Sequence, residues 1–338
     1  MKQFFKFLLA SFLGSALLLI VLFFLGFGAL LNSTTNTANI RPNSLLYMDL
    51  NYNIPDRTCE DNITNTLRGF NSESNDMSGM NDIISNIKAA AKDPNISGIF
   101  LELSSIGTST ANIEEIRNEL LRFRESGKFV ITYSENMSQG AYFLATAGDE
   151  IYINPDGMLD IHGMASQVIF YKKLLDKLDI EMQIVRGPNN KFKSAVEPYF
   201  LEKMSDANRE QMDKLLNSVW YQVLSDINKR RNISIKRINE LADKLALTFD
   251  ANLALEEGFI DGLYYRDQII ARIKELAGIE STKKINILTN SQYSQLRPAE
   301  ETYPDKIAVI YASGQIYDGE GDDTKIGSVT LSKAIREA

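Results

Sequence analysis

The stretch GPNNKFKSAVEPYF, residues 187 to 200, places two lysines just after a turn. Gly187, Pro188, Asn189 and Asn190 are turn formers. Lys191 and Lys193 bracket Phe192, and Ala195, Val196 and Glu197-Pro198 follow. By residue type alone Lys193 is a solvated surface charge. The other chemistry open to it is that of a general base. A free lysine titrates near pH 10.4, so it accepts a proton at neutral pH only if its charged form is disfavoured. Burial among apolar groups does this and can shift the value by several units. A base works best when it titrates near working pH. Phe192, Ala195 and Val196 offer apolar surroundings, and Ser194 a hydroxyl that can orient the amine. An ion pair with Glu197 would hold the lysine charged. A lysine base therefore requires Glu197 to point elsewhere, toward a backbone amide or Arg186, and Lys191 reads as a surface residue.

Few other side chains can do the chemistry. The chain has one histidine and one cysteine. A Ser-His-Asp triad would have to use His162, and a Cys-His pair would have to join it to Cys59, about a hundred positions away. His162 lies in LDIHGM and reads as packed or hydrogen-bonded. These counts disfavour a zinc site built from His and Cys clusters, and neither metal nor cofactor is expected. A lone cysteine cannot form an internal disulfide and says nothing about redox compartment. The formal net charge of −8 argues against nucleic acid as a main partner, which needs a basic face.

The elements that must position Lys193 alternate in type. SLLYMDL (44–50), ISGIFLEL (96–103), KFVITYS (128–134) and EIYIN (150–154) read as strands, and EMQIVRG (181–187) as the strand delivering the chain to Lys193. Between them, residues 81–91 carry Ile83, Ile84 and Ile87 on one helical face. Residues 111–127 carry Ile113, Ile116, Leu120 and Phe123, with Gly127 as the stop. GAYFLATAG and QVIFYKKLLDKL (167–178) read as further helices, and residues 57–78 as loop. Such alternation implies βαβ units and a mostly parallel sheet, with sites in the loops beyond strand ends. From Ser205 to Lys244 the chain is helical and charged. Met212, Leu215, Leu216, Val219, Trp220 and Val223 form an apolar face for packing, and Lys229-Arg230-Arg231 suits the helix dipole at its end. Asn290 to Thr302 reads as an interdomain linker.

The N-terminus is a membrane signal. Phe7 to Leu31 holds about 25 residues without a charge, enough for a helix to cross a bilayer. Lys2 and Lys6 precede it, which places the N-terminus in the cytoplasm. The apolar run is long for a cleaved signal peptide and no small-x-small site follows it, so an uncleaved anchor is expected.

An internal repeat is also visible. SLLYMDLNYNIPD (44–56) aligns with KIAVIYASGQIYD (306–318), and NDIISNIKAA (81–90) with VTLSKAIREA (329–338). A period of about 260 residues is a duplicated domain, of which the second copy has only begun at Ala338. The expected organisation is 1–31 cytoplasmic tip and transmembrane anchor, 32–43 linker, 44–289 first repeat, 290–305 linker and 306–338 start of a second repeat.

With these residues in view, the chain resembles the long, tandem-repeat form of bacterial signal peptide peptidase A, also called protease IV. The resemblance rests on the anchor, on MSQGAYFLATAGDEIYINPDGMLDIHGM (137–164), FKSAVEPYFLEKMSDANREQMD (192–213), ALEEGFIDGL (254–263) and KIAVIYASGQIYDGE (306–320). KSAVEP with MSDANRE is the specific part, and ALEEGFIDGL recurs more widely. The resemblance implies an α/β, Clp protease/crotonase-like repeat domain with a helical extension, preceded by one transmembrane helix. It implies a serine endopeptidase with a Ser/Lys dyad, in which Lys193 is the general base and the serine comes from a Ser-Gly-Gly motif of the second repeat, beyond Ala338. In the first repeat that register falls on Gln139-Gly140 rather than on Ser138, and the oxyanion segment corresponds to Ser104-Ser105-Ile106-Gly107. The isolated chain is thus expected to be inactive. The resemblance further implies a homotetramer at the bacterial inner membrane, with its catalytic part on the periplasmic face, degrading cleaved signal peptides or other apolar peptides. The rival expectation is a non-catalytic, membrane-anchored binding or scaffold module. A CoA-using crotonase relative is disfavoured by the anchor.

Overall fold

A computed structural model describes residues 2–33, 39–58, 77–298, 304–305, 307–322 and 325–338, and side chains at 2, 5, 8–10 and 24–33 fall outside the description. Cys59 and most of the expected 57–78 loop also lie outside the described residues. The chain divides into two units, Met1–Asn39 and Ile40–Ala338.

The first unit is one helix, α1 (Lys2–Ser33). Among the described residues no helix is long and apolar enough to cross a membrane. A crossing therefore rests on the sequence of Phe7–Leu31.

The second unit is built on β1 (Ser44–Asp49), β2 (Ile96–Glu102), β3 (Phe129–Met137), β4 (Glu150–Leu159), β5 (Gly262–Leu263) and β6 (Ile287–Thr289). They form a parallel sheet in the order β5-β4-β3-β2-β1-β6. The crossovers are α2 (Met80–Lys92), α3 (Thr110–Glu125) and the short α4 (Gln139–Ala145). Ile113, Ile116, Leu120 and Phe123 of α3 are all buried, as their spacing predicts. In α2, Ile83 and Ile87 are buried, whereas Ile84 is only partly covered and Asn86 takes the inner place. Because helices cover both faces, the strands are apolar on both sides. On one face Leu45, Phe100, Ile131, Tyr133 and Tyr152 meet Ile269 and Ile273 of a later helix. At the start of α4, a Cβ on Gly140 would come within 3.2 Å of Ile113 Cδ1, so a side chain there would crowd the α3–α4 contact.

After β4 the expected elements form only in part. Of the helix expected over 167–178, only α5 (Lys172–Lys177) forms. The strand expected over 181–187 does not form, and Val185 is 96% exposed. Its apolar residues are those of a strand, but among the described residues no neighbouring strand completes its ladder. In KIAVIYASGQIYD (306–318), aligned with the β1 stretch, residues 307–313 likewise form no strand, and Ile307 is 93% exposed. A short α6 (Glu197–Phe200) leads to α7 (Asp206–Arg231), followed by α8 (Ile235–Asp243), α9 (Ala251–Glu256) and α10 (Arg266–Leu276).

Residues 290–296, expected as linker, are α11 (Asn290–Leu296), started by a Thr289/Gln292 capping box. Asn290 accepts from Asn86 Nδ2 at 2.9 Å, and the buried Tyr293 donates to Asp93 at 3.2 Å. The polarity that reads as a linker is that of a cap and a buried amide pair. A two-stranded sheet, β7 (Gln315–Tyr317) with β8 (Lys325–Gly327), and α12 (Ser328–Glu337) end the described chain.

α7 is anchored at its C-terminal end. Of its expected apolar face only Val223 is fully buried, beside Leu224, Asp226 and Ile227, and Leu215 is exposed. The terminal arginines bond to the ends of other helices. Arg230 donates to the carbonyls of Thr146 and Gly148 after α4, at 3.0 and 3.1 Å. Arg231 donates to Gly258 O after α9 and grips Asp261 with two bonds of 3.0 Å. Beneath them the buried Arg117 of α3 faces Asp226 at 3.5 Å and bonds Thr146 Oγ1 at 2.8 Å. A buried pair of this kind is costly to break by halves. Arg117→Met should lower stability by about 3–5 kcal/mol in urea unfolding, and adding Asp226→Leu should recover most of that loss. A double variant no more stable than the single one would contradict this account of how α7 docks.

Candidate active site

The turn that carries Lys193 is closed by its own backbone and by one arginine. Asn189 takes a positive φ of 58°, and Lys193 N donates to Asn190 O at 3.0 Å. Arg186 Nη2 then donates to both Asn190 O and Lys193 O, each at 2.8 Å. The Arg186 guanidinium lies 5.6 Å from the centre of the Phe200 ring. Arg186 thus fixes the backbone of the turn and leaves the Lys193 side chain outward. Lys193 is exposed, as are Lys191 and Ala195. Phe192, expected to help enclose the amine, is 47% exposed and has Lys191 Nζ 4.8 Å from its ring centre. Among the described residues the apolar cover expected over Lys193 is absent. Residues 181–187 form no strand, and among the described residues no strand pairs with them beside the turn.

Glu197 points away from the lysine. Its side chain is buried and accepts from Ser205 Oγ at 2.6 Å, Asn208 Nδ2 at 3.0 Å and Ser205 N at 3.3 Å. Ser205 is at the same time the N-cap of α7, accepting from Asn208 N at 3.1 Å. One carboxylate thereby ties the Lys193 segment to the first turn of the long helix. Burial opposes its ionisation, but the Ser205 and Asn208 bonds, with the nearby positive Arg186, outweigh it and hold the carboxyl below its usual range. The spacing of Glu197, Ser205 and Asn208 explains why the motif runs on from KSAVEP to MSDANRE. The chain before the turn is held too. Tyr171 N donates to Pro198 O at 2.7 Å, and the rings of Tyr171 and Tyr199 stack at 6.0 Å.

Two amide side chains stand at or against the positions that the expected register aligns with a nucleophile and an oxyanion segment. Gln139 opens α4, and its Oε1 accepts from His162 N at 3.1 Å and Gly163 N at 2.9 Å. Its Nε2 donates to Gly163 O at 3.0 Å. Ser138 caps the same helix by accepting from Ala141 N. Asn51 Oδ1 accepts from Ser104 N and from Ser105 N, and Gly107 N bonds Tyr52 O. Of the backbone N–H groups in 104–107, the segment expected to correspond to an oxyanion hole, those of Ser104, Ser105 and Gly107 therefore have internal acceptors already. His162 Nδ1 lies 3.0 Å from Asp160 Oδ1, an arrangement that a triad shares. Among the described residues no serine hydroxyl bonds its other nitrogen, so the pair lacks a nucleophile. No group of three or more His, Cys, Asp or Glu poised for a metal occurs among the described residues.

Sequence reasoning picked out Lys193, Glu197, Arg186 and Gln139 but not Asn51, Ser205 or Asn208. Ser205 carried a usable signal, since a serine before a long helical run is an N-cap. Asn51 carried none, because its partners lie more than fifty positions away in the chain.

Known proteins are similar in sequence to most of this chain. Residues 122–280 match the family model described as Peptidase family S49. Protease 4 of Haemophilus influenzae is 33% identical over 267 residues, which is 76% of this chain and 43% of that protein. Protease 4 of Salmonella typhi is 32% identical over 280 residues, 80% of this chain and 45% of that protein. A chloroplastic serine protease SPPA of Arabidopsis thaliana is 27% identical over 287 residues, 81% of this chain and 41% of that protein. The chain spans less than half the length of each of these relatives.

The Glu197 clasp makes a pH prediction with a definite sign. Its carboxyl titrates lower folded than unfolded, so its stabilisation is full above the unfolded value of about 4.3. That stabilisation is lost as pH falls through the lower, folded-state value. Urea midpoints measured from pH 7 downward should therefore show Glu197→Gln weaker at neutral pH and converging on the parent chain in acid. A constant gap across that range would show that the carboxylate charge is not what holds the clasp.

Proposed function

We propose that this chain, whose residues 122–280 match the model of peptidase family S49, is the base-bearing part of a membrane-anchored serine endopeptidase. In this reading Lys193 is the general base and a serine from a second repeat, encoded beyond Ala338, is the nucleophile. The observation that carries it is the way Lys193 is held. Arg186 pins the backbone at Lys193, Glu197 pins the segment to α7, and the amine is left outward with no carboxylate partner among the described residues. A lysine whose role is an ion pair or a surface charge has no need of such a mount. The neutral amine takes the serine hydroxyl proton as the oxygen attacks the peptide carbonyl. It then passes that proton to the departing amine. The amine works in this way only under apolar cover, which the second repeat supplies.

The same reading assigns the remaining features. Phe7–Leu31, with Lys2 and Lys6 before it, anchors the protein in the bacterial inner membrane, N-terminus inside and catalytic part outside. Cleaved signal peptides and other apolar peptides are the substrates, and a homotetramer is the assembly. A second reading, a non-catalytic binding or scaffold module, is favoured by one observation. Gln139 and Asn51 fill the places of nucleophile and oxyanion in this repeat. The coding sequence past Ala338 separates the two, since a Ser-Gly-Gly segment after a helix like α3 supports the peptidase and a stop codon the scaffold.

In the full-length gene product, Lys193→Met should reduce cleavage of an apolar peptide ester by about a hundredfold to ten-thousandfold. Lys193→Arg should not restore it, because a guanidinium stays charged. Undiminished cleavage by either variant would remove Lys193 from the role of base.

A further inference from the structure

Lys193 is held from the α7 side by Glu197, but the segment that carries it also leaves the body of the protein at the end of β4, thirty-odd residues earlier in the chain. That exit is fixed by one side chain. Gln139 makes three hydrogen bonds, of 3.1, 2.9 and 3.0 Å, all to the backbone of His162 and Gly163. A primary amide can accept two N–H bonds at its oxygen and return a donor to the same peptide. Gly163 has a φ of +81°, in the left-handed region that favours glycine. Beyond it, 163–171 has no regular structure, and Met164 and Ile169 are exposed. Gln139 in turn sits on α4, whose far end is gripped by Arg230.

We propose that Gln139 is a positioning residue for the base: its carboxamide sets where the 163–196 segment leaves the sheet, and so where Lys193 is presented. This rests on Lys193 being the base. The segment then has two mounts, Gln139 at its origin and Glu197 at its end, and α7 joins them through Arg230. A residue that opens a helix at a strand's C-terminal edge is here used to hold a loop instead of attacking a substrate.

The test pairs a local readout with a kinetic one. In hydrogen exchange on the chain, Gln139→Ala should speed exchange at the amides of His162 and Gly163 by about fivefold or more. In the full-length gene product the same change should lower kcat by about ten to a hundredfold with KM little altered. Gln139→Glu adds a signature that packing alone cannot give. Its carboxylate accepts both amides but faces Gly163 O without a proton, and protonation restores the donor. Protection at 162–163 and kcat, each relative to the parent protein, should therefore rise together as pH falls through that carboxyl's titration. Faster exchange with unchanged kcat, in an enzyme that Lys193→Met inactivates, overturns the positioning role. Unchanged exchange in Gln139→Ala overturns the clasp itself. Full activity in Lys193→Met removes the base and the positioning role with it, while the exchange arm still decides the clasp.

Discussion

The mount of Lys193 depends on one buried carboxylate. Glu197 gives up water and is repaid by three hydrogen bonds from Ser205 and Asn208, the residues that begin α7. Unpaired, a buried charge of this kind would destabilise the fold; paired, it fixes the path of the chain on both sides. It also solves an electrostatic problem. A carboxylate four positions from the proposed base would keep that base charged if the two met. Directing Glu197 into the α7 cap removes it from the lysine without removing it from the motif.

The rest of the molecule serves to keep α7 in place. Apart from Asn208, its buried residues all lie in its last turns, from Val223 to Ile227, and these set its position. Arg117, Arg230 and Arg231 supply that position through bonds to the ends of α4 and α9 and to Asp226 and Asp261. A basic helix end, which by itself only complements the helix's own dipole, here closes the carbonyl ends of its neighbours. The chain of contacts runs from the parallel sheet to α4, to α7, to Glu197 and to the Lys193 turn.

Much of this was legible in the sequence. The α3 face of Ile113, Ile116, Leu120 and Phe123 follows from a 3.6-residue period, and β1 to β4 from their apolar runs. Lys193, Glu197 and Gln139 stood out by residue type and register. What was not legible depends on partners distant in the chain. Residues 181–187 have strand composition, but composition cannot provide a neighbouring strand. Asn290 and Gln292 look like linker until Asn86 and Thr289 are seen against them. Asn51 looks like loop until Ser104 and Ser105 are placed beside it. The apolar enclosure of Lys193 was inferred from Phe192, Ala195 and Val196, yet adjacent residues in a turn fan outward rather than close over their neighbour.

That exposed amine makes the account testable by one distance. In an experimental structure of the full-length gene product, the separation between Lys193 Nζ and the serine Oγ proposed for a second repeat can be read directly. The account predicts hydrogen-bond reach, about 2.6–3.2 Å, under apolar cover. A Lys193 amine still facing solvent, with no serine hydroxyl within reach directly or through one water, would contradict it.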